Sequence, residues 1–384
     1  MPKTFHRDRL FWVIAIQTAI VNFYLGGFGP AQSLLRADQG TSLTIAGLHG
    51  TAMGVASIFA GYANPHIAHR FGRTRAGWIG LAIFSFGLTV FVLAPPVFLT
   101  LPATLITGFG TSIVINSMLT SMSHHFGKAA EIAIPQANGI ASVGFVAGTA
   151  LIGSIAIIFP GLWRIGLLLA IPVALALFLL GRDKDDDEYI PDEAGPQSGK
   201  LSRKFWISWI GFVACISSEF AVSFWAAALL KDRVGSTAAI STVAVVALGS
   251  GMGIGRWYGG LLLKRFALDT QLLIVIGVQF LGFVAFWLSH TMFISLISLF
   301  TIGLGVSIQF ALASIRLISF SEGRPDLAIG RTSLAAGVAI AVAPFLLGVL
   351  GDSFGISRAY VMVPILIAIA FIIVKLVPSH KVGS

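Results

Sequence analysis

One carboxylate stands apart in this chain. The stretch SSEFAVSFWAAALLKDRVG buries Glu219 in an apolar run, whereas most of the sixteen acidic residues crowd one polar segment or sit at the ends of such runs. A charged carboxylate at the centre of a bilayer costs roughly 2.5 kcal/mol or more on insertion scales, so Glu219 must take up a proton or meet a cation. A solute or a coupling ion could use either event. The alternative is a neutral glutamic acid that joins two helices through a hydrogen bond. Other polar or amphipathic side chains also interrupt apolar runs: Gln17, Asn22, Tyr24, Asn116, Ser217, Ser218, Trp225 and Gln309. At membrane depth such groups are expected to point into a cavity, because lipid offers them no hydrogen-bond partner.

The elements that must carry these residues follow from composition. The 384-residue chain is 56% hydrophobic and 11% charged, with a mean hydropathy of +0.90, against about 25% charged residues in an ordinary soluble domain. It is expected to be an all-α integral membrane protein. A span-length window predicts twelve transmembrane helices, near 10–34, 43–66, 76–94, 97–122, 137–159, 162–181, 205–230, 237–263, 270–289, 292–318, 330–350 and 359–378. The basic start, MPKTFHRDRL, precedes an apolar run too long for a signal-peptide core and reads as the approach to an uncleaved first helix. GRDKDDDEYIPDEAGPQSGKLSRK is too polar to build a packed core. It divides the chain into a six-helix bundle over 1–181, a cytoplasmic linker over 182–204, and a second six-helix bundle over 205–384. The one cysteine, Cys215, lies in an apolar run and reads as a small buried residue.

Orientation follows from lysine and arginine, which favour cytoplasmic loops. With the amino terminus cytoplasmic, nineteen of the 25 basic residues fall on that side and five on the other, leaving Arg256 within a span. Both termini are therefore expected to face the cytoplasm across the cell (inner) membrane. The net charge of +9 is accounted for by anionic lipid headgroups, without nucleic acid.

The basic turn AHRFGRTR at 68–75 returns in weaker form as LKRFALD near 263. Arg70-Phe71 and Arg265-Phe266 are 195 positions apart, and Arg164 and Arg358 are 194 apart. A constant offset near half the length means two copies with the same topology, the plan of parallel-repeat transporters. The same offset sets Tyr24 opposite Glu219 and Asn116 roughly opposite Gln309.

Twelve spans in two sixes, a charged centre and a basic turn after the second and eighth spans resemble the major facilitator superfamily. The family's loop motif, roughly G-x-L-A-D-R-x-G-R-[RK], is matched here by Ala68, Arg70, Gly72 and Arg73, and in the second copy by Gly260, Leu262 and Arg265. Pro65 replaces the glycine and His69 the aspartate; Lys264 and Ala267 replace the acid and the later glycine in the second copy. The resemblance implies that this turn latches the two halves, with His69, Arg70, Arg73 and Arg265 in that role. His69 could instead be a solvated interfacial histidine. GLWR, APFLLGVLGDSFG and GMGIGRWYGG are similar to family stretches, the last together with Glu219 and Trp225 resembling the fucose-permease-like branch. The resemblance implies that the first, fourth, seventh and tenth spans line a central cavity. Asn22, Tyr24, Asn116, Ser218, Trp225 and Gln309 are then candidate substrate contacts, and Glu219 is a proton-coupling or substrate carboxyl. Arg256 and Arg316 are candidates for gates, or for interfacial anchors.

No phosphate-binding loop, zinc-protease helix or nucleophile elbow is present, so neither an ATPase nor an intramembrane enzyme is expected. His66 with His69, and His124 with His125, lack a third ligand for a metal. The reading is a secondary transporter working by alternating access, with no cofactor beyond protons as the coupling ion. It is expected to be a monomer that takes up a small polar, sugar-like solute. Efflux of an amphipathic compound, uniport, and sodium coupling remain alternatives.

Overall fold

A backbone surrounded by lipid must satisfy its own hydrogen bonds, so each apolar run is driven to close as a helix. The computed structural model describes residues 6–181 and 199–379, and twelve of its helices are long and apolar enough to cross a membrane. These are α1 (Arg9–Phe28), α2 (Leu43–Phe71), α3 (Arg73–Leu93), α4 (Val97–Phe126), α5 (Ile132–Ile158), α6 (Trp163–Gly181), α7 (Arg203–Val234), α8 (Ala238–Leu263), α9 (Leu268–Leu288), α10 (Met292–Ser319), α11 (Gly330–Phe354) and α12 (Ile356–Leu376). Most of the predicted linker, residues 182–198, lies outside the described residues, as do Lys3 and Lys381. Its last residues belong to α7, whose first turn is capped by the Ser202 hydroxyl accepting from Phe205 N.

Several boundaries differ from the sequence reading for local reasons. The first predicted span ends early: Gly29 and Pro30 interrupt it, and Gln32–Gln39 forms a separate short helix. Its Asp38 accepts a hydrogen bond from Trp163 Nε1 at 2.7 Å and lies 3.4 Å from Arg164 Nε, which ties the short helix to the start of α6. α2 continues through Pro65 and ends at Phe71, so His69 and Arg70 occupy its last turn and not a loop. The chain then reverses at Gly72, whose φ of 91° suits glycine. The second copy of this turn has Ala267 with φ −61° there and needs no such residue. α10 is not continuous: it runs Met292–Val306, breaks at Ser307 and Ile308, and resumes as Gln309–Ser319.

The two halves are built alike. α1 packs on α5 as α7 packs on α11; α2 packs on α4 as α8 packs on α10; α3 packs on α4 as α9 packs on α10. α3, α6, α9 and α12 pack within their own halves and are peripheral, whereas α2 meets α11 and α5 meets α8 across the halves. The face of the bundle that carries residues 6 and 379 is termed the inner side, and the opposite face the outer side.

At the outer side the halves are closed. Phe28 of α1 lies edge-on to Phe224 of α7, a Cβ built on Gly47 of α2 would sit 2.9 Å from Phe345 Cα of α11, and near mid-span a Cβ on Gly54 would sit 2.2 Å from Ala341 N. A side chain at that point would push the helices apart, so glycine is what allows the approach. Towards the inner side the α2–α11 contact widens, with a Cβ at Gly61 3.8 Å from Ser333 Cβ, whereas in the α5–α8 contact Trp257 still covers Gly139.

Candidate functional site

Glu219 lies midway along α7 and is half-buried. Among the described residues its carboxyl makes no hydrogen bond and no ion pair within 4.0 Å. It is within electrostatic reach of Arg256 on α8. Half-burial of an unbonded carboxyl in a span matches a group open to the cleft between the halves; in lipid that position would be costly.

Arg256 joins the site to the other half. Its Nη1 donates to Ser142 Oγ of α5 at 2.8 Å, and its Nε lies 3.4 Å from the carbonyl oxygen of Ser307, at the break in α10. Ser142 is buried, and its hydroxyl donates to the Asn138 carbonyl at 3.0 Å, which turns a lone pair towards the guanidinium. Sequence reading missed Ser142 and Ser307. Arg256 and Ser142 are 114 positions apart, and the small polar residue in ASVG was the one local sign. Nη2 of Arg256 has no protein partner among the described residues.

Asn22 of α1 is half-buried and donates its amide nitrogen back to Thr18 O at 2.9 Å, leaving its side-chain oxygen available. Asn116 of α4 is half-buried as well, and its side-chain amide makes no hydrogen bond among the described residues. Glu219, Arg256, Asn22 and Asn116 are thus half-buried polar groups carried by spans of both halves: a carboxyl, a guanidinium and two amides.

The other predicted cavity residues lie inside the bundles. Tyr24 is fully buried, stacked on Phe28 at 5.1 Å and set edge-on to Phe84 at 5.7 Å, so its ring fills the space between α1 and α3. Trp225 is fully buried too, and its Nε1 donates to Pro344 O of α11 at 2.9 Å. It holds the outer closure of α7 on α11. Ser218 and Gln309 meet in the C-terminal bundle through Gln279 of α9: Gln309 Nε2 donates to Gln279 Oε1 at 2.8 Å, and Gln279 Nε2 to Ser218 Oγ at 2.9 Å. Polar side chains at membrane depth found one another there instead of a cavity.

The gate candidates divide in the same way. Arg316 is buried and turned into its own half: Nε meets Asp269 Oδ1 at 2.9 Å, the Val377 carbonyl accepts from Nη2, and the guanidinium lies over Phe320. It ties α10 to α9 and to the end of α12, in the manner of the interfacial anchor. Arg70 and Arg265 each lie over the ring of the following phenylalanine, at 5.4 and 4.9 Å, so the repeated turn repeats its cation–π contact. Arg73 opens α3. His49 is fully buried, with Nε2 3.0 Å from Thr100 Oγ1, as a packing histidine would be.

A third missed residue is Asp352, at the outer end of α11. Its carboxylate accepts from Leu43 N at 2.9 Å, from Thr44 N at 2.7 Å and from Thr44 Oγ1 at 2.6 Å. One acid of the C-terminal half thus caps the first turn of α2 in the N-terminal half, where unpaired amides and the helix dipole favour an anion.

Comparison with known proteins bears on the whole architecture. A point mutant of the nucleoside transporter NupG superposes with a TM-score of 0.77 at 12% identity, over 96% of this chain and 98% of that one. A bacterial homologue of the human lysosomal transporter Spinster, in an inward-facing and occupied conformation, gives 0.75 at 14% identity, over 99% and 100%. Its unoccupied form gives 0.74 at 14% identity, over 98% and 99%. At these identities the likeness shows the fold. A search of curated proteins finds no significant match. The sequence profile of the Major Facilitator Superfamily matches residues 14–324. Twelve spans packed as two like halves, matched by that profile over most of their length, make this chain a member of the major facilitator superfamily, a membrane transporter and not an enzyme.

Proposed function

We propose that the protein is a proton-coupled secondary carrier that takes up a small polar, sugar-like solute by alternating access. The observation that carries this reading is the half-buried, unbonded carboxyl of Glu219 midway along α7, within reach of Arg256, which itself crosses to the other half. A carboxyl so placed gains or loses its proton as the solute and Arg256 change its surroundings, and that dependence couples proton and solute movement. Asn22 and Asn116 supply hydrogen bonds to the solute's hydroxyl groups. The likeness to NupG adds nucleosides to the solutes worth testing.

The units that move are 1–181 and 205–384, linked by 182–204, in a monomer set in the cell (inner) membrane with both termini in the cytoplasm. Closure at Phe28–Phe224 and Asp352 and the wider α2–α11 spacing at Gly61 and Ser333 fit a state open on the inner side.

The test is solute-driven proton movement into proteoliposomes that hold a pH-sensitive dye, for wild type and Glu219→Gln. Sugars, nucleosides, amino acids, carboxylates and lipophilic cations form the panel. Proton flux that depends on a solute and disappears in the variant is the expected outcome. Solute uptake without proton flux, or normal coupling in the variant, removes Glu219 from the mechanism and leaves a uniporter or a sodium-coupled carrier. Proton flux out in exchange for a lipophilic cation identifies efflux.

A further inference from the structure

The cleft holds an unfinished pair of charges. Glu219 and Arg256 lie on neighbouring helices of one half, feel each other electrostatically, and yet make no contact within 4.0 Å. Both are half-buried. Two opposite charges on flexible side chains, withdrawn from water, gain by closing to an ion pair, because attraction rises steeply as the local dielectric falls. Here Arg256 is held away from Glu219 by other bonds. Ser142 Oγ takes Nη1 at 2.8 Å and the Ser307 carbonyl lies 3.4 Å from Nε.

That arrangement fixes the guanidinium and leaves Nη2 to be met. The Ser142 bond comes from a hydroxyl already oriented by Asn138 O, and Ser307 is presented at the break in α10, where its carbonyl is free of a regular helical ladder. A guanidinium offers a rigid, planar fork of donors that matches a carboxylate. Two protein contacts occupy Nε and Nη1; Nη2 has no protein partner among the described residues.

Resting on the reading of this cleft as the solute site, we propose that the solute is an anion: a small hydroxy-carboxylate, its carboxylate received by Nη2 of Arg256 and its hydroxyl groups by Asn22 and Asn116. A neutral sugar would leave the guanidinium's charge uncompensated in a cleft from which water is displaced, and an unpaired buried charge is costly. A cationic solute would be repelled by it. Arrival of a carboxylate at Arg256 replaces the compensation that Glu219 supplied at a distance, so the solute's negative charge and a proton on Glu219 favour each other. Anion and proton then cross together with no net charge.

The experiment uses the full-length protein in two measurements. In detergent without any gradient, thermal stabilisation is recorded with gluconate, galacturonate and lactate, and with sorbitol, galactose and serine as neutral and zwitterionic counterparts. In proteoliposomes the same compounds are offered for uptake. Wild type, Arg256→Gln, Arg256→Lys and Glu219→Gln are compared. The expected result is at least a tenfold preference for a hydroxy-carboxylate over sorbitol and galactose in both measurements. Arg256→Gln should lose that preference, Arg256→Lys should keep part of it, and Glu219→Gln should still bind the anion while losing proton flux. Equal or better stabilisation by the neutral compounds overturns the proposal, as does a preference unchanged in Arg256→Gln. Serine binding ahead of gluconate overturns it in favour of a zwitterion bridging both charges. Anion binding that depends on Arg256 while no proton flux is seen in wild type upholds the proposal and removes proton coupling instead.

Discussion

The two seams that join the halves are built on one plan and closed by different chemistry. In the α2–α11 seam the helices touch through glycines and small residues and are finished at the outer end by Asp352, which gathers two amides and a hydroxyl from the start of α2. In the α5–α8 seam the outer end is apolar, with Gly153 against Val243, and the polar link lies deeper, where Arg256 reaches Ser142. Trp257 then covers Gly139, and Arg7 lies over the Trp257 ring at 5.6 Å. The repeat made the two seams equivalent, but only one carries its charge at the rim. An acid at the rim responds to the outer solution and holds the outer mouth shut. A base at depth responds to whatever occupies the cleft.

That contrast is broken most severely by steric change. Gly54→Leu places side-chain atoms where Ala341 N now lies, an overpacking expected to cost about 3 kcal/mol. Purified protein should melt several degrees lower and transport should fall to background. Gly153→Leu, which meets Val243 Cγ2 at 2.5 Å and Val243 N at 2.8 Å, should be milder, because part of that clash is with a side chain that can turn away. Equal losses would show that the seams are mechanically the same.

Asp352→Ala removes three hydrogen bonds to one charged group and should weaken the outer closure by about 2 kcal/mol, roughly a thirtyfold shift in its population. Distances between spin labels on the outer ends of α2 and α11 should lengthen and broaden. An unchanged distribution would show that the glycine contacts alone hold the mouth. Ser142→Ala deletes the cross-seam acceptor of Arg256 and should lower solute affinity several-fold, about 1 kcal/mol, while leaving the outer distances as they are. A shift in those distances would mean that both polar links serve the gate.

The smallest effect is expected at the inner start of α1, next to the Arg7–Trp257 contact. Asp8 caps that helix through Phe11 N at 2.9 Å and meets His125 Nε2 at 2.6 Å. Burial pushes its carboxyl up, but the Phe11 amide and the His125 ring more than offset this and leave it below the usual carboxylate range. A depressed folded value means the contribution is present above the ordinary carboxylate range and is lost as pH falls through the depressed value. Asp8→Ala should cost about 1 kcal/mol near neutral pH, and the gap to wild type should close below about pH 4. Melting curves across that range decide it.

Much of the fold could be read from the chain because a bilayer leaves few choices: an apolar run of sufficient length must be a helix, and the 195-residue spacing of Arg70-Phe71 and Arg265-Phe266 exposes the repeat. Glu219 stood out as a candidate for a similar reason, as an acid with no local excuse. Tyr24, Trp225, Ser218 and Gln309 show where that reasoning stops. Their depth was legible, but the direction in which each points depends on which neighbour offers a partner, and Gln279 and Pro344 lie 61 and 119 positions from Ser218 and Trp225. Arg316 stood as a gate or an interfacial anchor because its charge was visible while its partner Asp269 lies 47 positions away. Asp352 looked like a helix end, which it is; that it also begins another helix is a fact of packing alone.

The interruption of α10 has a mechanical meaning. A continuous helix transmits a tilt from one end to the other as a stiff rod would. Ser307 and Ile308 turn this one into a jointed strut, with Gln309 and Arg316 bolting its inner arm to α9 and Arg256 bearing on the joint itself. A pull on the guanidinium from the cleft therefore acts at the knee of the strut, where a small force gives the widest swing of the arm beyond it.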